Sequence, residues 1–187
     1  MTRIISGRAG GTVLDVPAKG TRPTSDRVRE SLFGALESAD LVEGARVLDL
    51  YAGSGALGLE SLSRGAVSAD LVELSAPAAA LIRKNADRLR TAGVPGTARV
   101  HRANAVTYAE TATAEWDLVF LDPPYDVSDT EITRALVGVA LRLSPDAAVI
   151  VERAKRSPAP DWDAAGLEPD RHRTYGDTTL WWSRPRR

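Results

Sequence analysis

The stretch RVLDLYAGSGALGLE, residues 46–60, decides the fold of this chain. Its first six residues are mostly apolar and predict a buried strand, and the glycines that follow predict a tight turn that opens a helix. Gly53, Gly55 and Gly58 fit the spacing G-x-G-x-x-G, in which the missing side chains let the backbone approach a ligand and let the helix pack on the strand. By itself this pattern is weak evidence for any one ligand.

Acidic residues in and after this stretch narrow the choice of ligand. The next apolar segment, residues 69–74, contains Glu73, 20 residues after Gly53. A carboxylate at that distance is typical of contact with a ribose, in nicotinamide enzymes and in adenosylmethionine enzymes alike. Asp49 lies inside the first strand, where a charge is seldom buried without a purpose. We expect it to face the cationic amino-acid end of a methyl donor.

Strands and helices alternate from residue 46 onward. Apolar runs predict strands near 46–51, 69–74, 98–102, 116–121 and 147–151, and helical periodicity predicts helices near 56–64, 76–92 and 129–142. This alternation indicates a Rossmann-like, doubly wound α/β fold with a mostly parallel sheet of about seven strands. Ligands bind such sheets beyond the carboxyl ends of the strands, where Gly53, Glu73, Asn104 and Asp122 all fall.

The two ends of the chain depart from this alternation. Residues 3–6 and 11–16 predict a hairpin, and Thr24 or Ser25 can cap a helix from Asp26 to Ser38. Near the other end, residues 172–182 predict an antiparallel hairpin with Trp181 and Trp182 at a sheet edge. We therefore expect an N-terminal extension, residues 1–38, followed by a catalytic domain, residues 39–187.

The tetrapeptide Asp122-Pro123-Pro124-Tyr125 follows the apolar run 116–121. The prolines hold the backbone of Asp122 and Pro123 extended. The Asp122 side chain and the Pro123 carbonyl are then two fixed acceptors for the hydrogens of an exocyclic amine, which turns the lone pair of the amine outward. Tyr125 offers a ring on which a base can stack, a contact worth roughly 1–3 kcal/mol. The pattern predicts methyl transfer to the amine of a planar base, although a strand end with a Pro-Pro turn would look the same.

Composition excludes several classes of protein. A chain of 187 residues with 43% hydrophobic content suits one well-packed domain. It has no cysteine, which removes disulfides, thiolate metal sites and the cysteine nucleophile of pyrimidine-carbon methylation. His101 and His172 are too far apart to suggest a metal site, so we expect no metal. The sequence shows no apolar run of 18 residues and no signal-like start, which predicts a soluble cytoplasmic protein.

The net charge of −1 is unevenly distributed. Residues 1–29 carry a net charge of +4, residues 171–187 also carry +4, and the rest of the chain carries −9. Basic ends suit contact with phosphate, and an acidic body suits a cationic cofactor. The N-terminal residues that we predict to bind RNA are Arg3, Arg8, Arg22, Arg27 and Arg29. The basic C-terminal segment fits phosphate contact and a solvated tail equally well.

Several of these motifs resemble one known family. Residues 49–55 look like the donor-binding motif of class I adenosylmethionine-dependent methyltransferases, and residues 122–125 look like their catalytic motif for exocyclic amino groups. Residues 3–7, 22–33 and 175–178 resemble the 16S ribosomal RNA (guanine(966)-N2)-methyltransferase family. The resemblance covers essentially the whole chain, and residues 22–33 are its most specific part.

The resemblance implies methyl transfer from S-adenosyl-L-methionine to the N2 amine of a guanine in 16S ribosomal RNA. It implies a monomer that acts on RNA, in our interpretation within a small-subunit assembly intermediate that contains ribosomal proteins, without a membrane or a metal. The catalytic residues would be Asp122, Pro123, Pro124 and Tyr125. The cofactor-binding residues would be Asp49, Tyr51, Gly53, Ser54, Gly55, Glu73, Asn104 and Ala105.

One position departs from the common pattern, and other functions remain open. Where many relatives carry an acid near the adenine of the cofactor, this chain has Asn104-Ala105. The amide of Asn104 can still bond an adenine edge, or it can form a local turn. The alternative substrates are a DNA adenine or cytosine and a protein glutamine. A nicotinamide-dependent oxidoreductase and a non-catalytic RNA-binding factor are alternatives of another class.

Overall fold

A computed structural model describes residues 2–18 and 24–187. In chain order its elements are β1 (Thr2–Arg3), β2 (Val13–Leu14), α1 (Asp26–Ser38), β3 (Arg46–Leu50), α2 (Ala56–Ser63), β4 (Ser68–Glu73), α3 (Ala76–Thr91), β5 (Thr97–Arg102), α4 (Ala105–Thr111), β6 (Trp116–Leu121), α5 (Asp129–Ala140), β7 (Leu143–Ala154), α6 (Trp162–Ala165), β8 (Leu167–Tyr175) and β9 (Thr178–Pro185). None of the described helices has the length and apolar character needed to cross a membrane.

A seven-stranded sheet organises the molecule in the order β5-β4-β3-β6-β7-β9-β8. Strands β3 to β7 run parallel, whereas β9 is antiparallel to both β7 and β8. The chain moves outward from β3 to β5 and then returns to place β6 on the other side of β3. The strand order therefore reverses between β3 and β6, which is where open α/β sheets bind their ligands.

Helices cover both faces of the sheet. Alternate residues of β6 face opposite sides: Leu118 and Phe120 pack in a core with α1, α2 and α3, and Val119 and Leu121 pack in a core with α4, α5 and α6. Because both faces are buried, the central strands are almost continuously apolar. The predicted fold class is confirmed.

The N-terminal extension shares the core of the sheet. Ile4, Leu14 and Phe33 are fully or almost fully buried in the core on the α1 side. Glu60, itself buried in α2, accepts hydrogen bonds from the backbone amides of Ile5 at 2.8 Å and Ser6 at 3.1 Å. The extension is therefore packed as part of the same body as residues 39–187.

The predicted bounds agree with the structure for α1 and β6 and are within a few residues for α2, α3, α5 and the other central strands. Two short helices, α4 and α6, were not expected. The closing hairpin exists, but Trp181 and Trp182 lie on β9, which is covered by β7 and β8 on its two sides, so the expected edge position is wrong. The edge strand is β8. His101 pairs with Asp70 at 2.9 Å and His172 stacks on Trp181, as expected of structural histidines.

Candidate active site

A cavity of about 820 Å³ opens at the carboxyl ends of β3, β4, β6 and β7. It collects nearly all the residues predicted to bind a cofactor or a base: Asp49, Tyr51, Gly53, Ser54, Glu73, Asn104, Ala105, Asp122, Pro123, Pro124 and Tyr125. Gly55 is absent from its lining. That residue lies behind the loop, where an added Cβ would meet Ile82 at 3.0 Å and Leu71 at 3.2 Å. Gly55 allows the start of α2 to pack closely against these side chains. Any contact of Gly55 with the cofactor would have to be indirect.

The loop after β3 has an unusual backbone. Tyr51, Gly53 and Gly55 have φ angles of 61°, 60° and 81°. The left-handed region is costly for a residue with a side chain, so Tyr51 is held there by its surroundings. Its hydroxyl donates to Glu131 at 3.3 Å. The loop thereby presents its backbone to the cavity instead of continuing the strand.

Glu73 holds this loop in place from the end of β4. One carboxylate oxygen accepts the amide of Gly53 at 2.9 Å, and the other accepts the amide of Ser75 at 2.9 Å. A carboxylate has about four acceptor positions, so these two bonds leave capacity for the hydroxyls of a ribose. Glu73 lies where the spacing in the sequence predicted.

Asp49 is buried beneath the same loop. Its Oδ2 accepts the amide of Gly58 at 2.9 Å in the first turn of α2. Burial raises its pKa to about 7, the Gly58 amide lowers it, and the nearby charge of Glu73 raises it. A cationic ligand beside Asp49 would oppose this rise, because an opposite charge favours the ionised carboxyl.

Asn104 has the local role that a turn asparagine can take. Its side-chain oxygen accepts the amide of Thr107 at 3.1 Å and caps α4. The residue also lines the cavity, with Ala105 next to it. The amide nitrogen of Asn104 and the remaining lone pair of its oxygen are the groups left for contact with a ligand.

Asp122 follows the last residue of β6. Its backbone amide donates to the carbonyl of Leu50 at 3.4 Å, which continues the pairing of β6 with β3 into the motif. Pro123 is buried, and Tyr125 is 48% exposed. The motif thus places a rigid acceptor pair inside the cavity and an aromatic ring at its mouth.

Thr24 and Glu152 complete this part of the site. The hydroxyl of Thr24 lies 2.7 Å from Oε2 of Glu152 and 3.2 Å from Oδ2 of Asp122. Burial raises the pKa of Asp122 well above its usual range, the charge of Glu152 raises it further, and the Thr24 hydroxyl lowers it. Neither Thr24 nor Glu152 was among the site residues that the sequence predicted. Glu152 did carry a signal, because it follows an apolar run at a strand end as Glu73 and Asp122 do.

Acidic side chains outnumber basic ones in the cavity. Its acidic lining residues are Asp49, Glu73, Asp122, Asp126, Glu131 and Glu152, and among the described lining residues Arg29 is the one base. A cavity with this charge attracts a cationic ligand and repels the phosphates of a dinucleotide.

The arginines predicted to bind RNA have different positions. Arg3, Arg8 and Arg27 are exposed, and Arg22 lies outside the described residues. Arg29 is completely buried: it donates to the carbonyl of Arg3 at 2.8 Å and lies 3.5 Å from Glu60. The prediction that Arg29 contacts RNA is therefore wrong for this structure, because its guanidinium joins α1 to β1 and α2 inside the protein.

Comparison with known proteins agrees with the fold and the motifs. The family described as Conserved hypothetical protein 95 matches residues 2–184. Ribosomal RNA small subunit methyltransferase D of Escherichia coli (strain K12) is 40% identical over 151 residues, which cover 80% of this chain and 73% of the relative. Putative rRNA methyltransferase YlbH of Bacillus subtilis (strain 168) is 32% identical over 94% of this chain and 95% of its own length.

A solved structure extends the similarity to three dimensions. Putative methyltransferase yhhF from Escherichia coli superimposes with a TM-score of 0.81 and 33% identity, over 98% of this chain and 97% of that protein. The match with the family covers nearly the whole described chain, including the extension, the glycine loop and the motif at residues 122–125. The chain therefore belongs to the family described as Conserved hypothetical protein 95.

Proposed function

We propose that this protein transfers a methyl group from S-adenosyl-L-methionine to the exocyclic N2 of a guanine in small-subunit ribosomal RNA. The observation that carries the proposal is the meeting of a glycine loop and the Asp122 motif in one acidic cavity. Relatives named as methyltransferases of small-subunit ribosomal RNA support the choice of substrate.

The residues present fit adenosylmethionine. A volume of about 820 Å³ is ample for a ligand of that size. Glu73 has acceptor positions left for ribose hydroxyls, and the acidic lining suits a cationic donor. Asn104 and Ala105 line the cavity and would contact the adenine. When bound, the donor supplies an electrophilic methyl group. The same acidic lining disfavours a nicotinamide dinucleotide, whose phosphates would face carboxylates.

Asp122 and Pro123 would orient the amine of the guanine. The ionised carboxylate of Asp122 and the carbonyl of Pro123 each accept one hydrogen, so the nitrogen lone pair points toward the donor. Holding two reactants in line is a large part of the acceleration that enzymes achieve. The amine loses a proton after the methyl group has been transferred, so no base has to act before the attack.

Thr24 and Glu152 would keep Asp122 in place. The Thr24 hydroxyl restrains both carboxylates, and Glu152 presents a second acceptor beside the base. The guanine must leave its stack to enter the cavity, at a cost of a few kcal/mol. Tyr125, half exposed at the mouth, offers a ring on which the base can stack.

Asp122→Ala tests the catalytic assignment. We expect adenosylmethionine to bind with unchanged affinity in calorimetry, because Asp122 contacts the acceptor base. Methyl transfer to small-subunit RNA should fall at least 100-fold, since the amine loses its orientation. Full activity of this variant would refute the assignment.

A labelled-methyl assay tests the substrate. Ribosomal RNA, assembling small subunits, DNA and protein would each be incubated with labelled adenosylmethionine and the protein. We expect label in the RNA, recovered as N2-methylguanine. Label confined to DNA or to protein glutamine would favour the alternative substrates, and RNA affinity without turnover on any substrate would favour an RNA-binding factor.

The cellular setting is part of the proposal. We infer a cytoplasmic monomer that acts on a small-subunit assembly intermediate, since ribosomal proteins could present the base to a body this small, which has basic patches only at its ends. Mapping the modified guanine in ribosomal RNA from cells that lack the protein would identify the position.

A further inference from the structure

The outer strand of the sheet carries two arginines on one face. Arg171, Arg173 and Tyr175 are two residues apart along β8, so their side chains share a face. The guanidinium of Arg171 lies 4.2 Å above the ring of Trp182, and that of Arg173 lies 5.1 Å from the ring of Tyr175. Both arginines are exposed. Each positive group thus lies close to an aromatic ring and is open to solvent.

The N-terminal helix extends this basic surface. The hydroxyl of Ser31 in α1 lies 2.7 Å from the hydroxyl of Tyr175. Arg27 is one helical turn before Ser31, on the same flank of the helix, and is exposed. We call Arg27, Arg171 and Arg173, with Tyr175 and Trp182, the arginine stripe.

The arginine stripe begins beside the cavity. The hydroxyl of Tyr125 lies 3.5 Å from that of Thr178, which pairs with Tyr175 across the hairpin. Arg173 lies opposite Leu180, and Leu180 lies opposite Glu152. Two strand spacings, roughly 10 Å, therefore separate Arg173 from the carboxylates at the base-binding end of the cavity.

Charge on β8 is segregated along the strand. The acids Glu168 and Asp170 lie at the end far from the cavity, where Glu168 pairs with Arg184 at 3.1 Å and Asp170 lies 3.9 Å from Arg171. In the described part of the chain neither Arg27 nor Arg173 forms an ion pair. Charges of either sign on an edge strand discourage aggregation. Protection against aggregation does not explain why the arginines of β8 lie at the end of the strand next to the cavity.

We propose that the arginine stripe binds the phosphates of the RNA strand next to the target guanine. This inference rests on the proposed function. A base that leaves its stack carries its flanking phosphates to the mouth of the cavity. Arg171 and Arg173 are roughly 7 Å apart along the strand, which suits neighbouring phosphates of an unstacked strand. An arginine already held on an aromatic ring loses less freedom when it binds.

The double variant Arg171→Gln, Arg173→Gln tests the proposal. Its affinity for a small-subunit ribosomal RNA transcript would be measured over a series of salt concentrations and compared with that of the wild type. We expect weaker binding at low salt, and a slope of log affinity against log salt that is smaller by about 1.4, because two phosphate contacts to a single strand are lost. Adenosylmethionine affinity should be unchanged, which shows that the variant is folded.

Two further double variants separate charge from packing. Arg171→Lys, Arg173→Lys keeps the charge and weakens the stacking, and we expect it to keep the salt slope. Arg90→Gln, Arg134→Gln removes two exposed arginines elsewhere on the surface, with side chains 78% and 60% exposed, and should leave the slope unchanged.

The outcomes distinguish this inference from the proposed function. An unchanged slope in the Arg171→Gln, Arg173→Gln variant, or an equal loss in the Arg90→Gln, Arg134→Gln control, overturns the arginine stripe even if the wild type methylates RNA. If the wild type methylates no RNA, the proposed function is overturned. The phosphate contacts would still be supported if the salt slope is smaller in the Arg171→Gln, Arg173→Gln variant but not in the control.

Discussion

At the scale of single residues, Asp122 and Glu152 share one hydroxyl donor in a partly buried site. Two like charges in one place disfavour ionisation of both. In the proposed function the ionised carboxylate of Asp122 is a stronger acceptor for the amine than the protonated form, so its raised pKa would make transfer sensitive to acid. Binding of an amine between the two carboxylates would offset this effect, because hydrogen bonds to the charged form favour it.

Glu152→Gln should shift the decrease of the methyl-transfer rate in acid to lower pH. Without the second negative charge the pKa of Asp122 falls, so the single-turnover rate should hold to lower pH than in the wild type. The sign follows because the proposed acceptor is the deprotonated carboxyl, so the rate falls as pH drops through its pKa. Glu110→Gln, the same change at an exposed ion pair on α4, is the control. If the rate falls at the same pH in the Glu152→Gln variant and in the wild type, the charge of Glu152 does not raise the pKa of Asp122.

Arg29 shows a limit of prediction at this scale. It sits in an arginine-rich segment, and such residues are seldom fully buried unless they are paired. Asp26, three residues earlier, pairs with it at 2.7 Å, but the groups that enclose it, Glu60 and the carbonyl of Arg3, are 31 and 26 residues away, and no local pattern connects them to Arg29. Thr24 is similar, because it approaches Asp122 only after the N-terminal segment has folded back over the sheet.

At the scale of elements, Glu60 anchors the N-terminal extension to α2. It accepts two backbone amides of the extension and pairs with Arg64 at 2.8 Å. Glu60→Ala removes the acceptor of two backbone amides and the second acidic partner of Arg29, which keeps its pair with Asp26 at 2.7 Å. We expect the free energy of unfolding to fall by about 2–4 kcal/mol in denaturant titration, because the two amides lose their acceptor. Glu110→Ala should change it by less than about 1 kcal/mol, since exposed pairs contribute little. Equal effects of the two substitutions would show that Glu60 is not an anchor.

The contact between α2 and β4 depends on a glycine. A Cβ at Gly58 would lie 2.9 Å from the side chain of Leu71 and 3.3 Å from Asp49. Gly58→Ala should therefore lower the free energy of unfolding by about 1–3 kcal/mol through overpacking. Gly34→Ala in α1 meets nothing within 4 Å and should raise it by about 0.5–1 kcal/mol. Thermal unfolding of both variants checks the prediction, and a stabilised Gly58→Ala variant would disprove it.

Elements with strong periodicity were predictable, whereas short ones were not. The helices α1, α3 and α5 span three turns or more and repeat their apolar residues, and the central strands are continuous apolar runs. The α4 helix has seven residues and α6 has four. Helices that short are not stable by themselves and depend on tertiary packing, which a local pattern does not reveal. The cavity could be predicted because its residues follow strand ends, which meet at one edge of a parallel sheet.

At the scale of the whole molecule, charge is divided between the cavity and the surface near its mouth. The cavity is lined by carboxylates, and the arginine stripe lies beside it. The net charge of −1 conceals this division. A cationic donor and a polyanionic substrate would thus each meet a surface of opposite sign.

Ligand-dependent unfolding checks this division. Adenosylmethionine at 100 times its dissociation constant should stabilise the protein by about 2.7 kcal/mol, a rise of roughly 5–10 °C in Tm for a chain of this length. The oxidised nicotinamide dinucleotide at the same concentration should leave Tm unchanged. A rise in Tm with the dinucleotide but not with adenosylmethionine would favour the alternative that the protein is an oxidoreductase. Asp122→Ala should respond to adenosylmethionine as the wild type does.

The attachment of the N-terminal extension also bears on how the protein forms during translation. The extension is held by Glu60, by Ser63, and by Asn85, whose side-chain oxygen accepts the amide of Asp15 from 70 residues away. At ordinary elongation rates, roughly 4–14 s pass between the synthesis of Asp15 and that of Asn85. The N-terminal extension is thus made first and docks late, only after α2 and α3 have emerged.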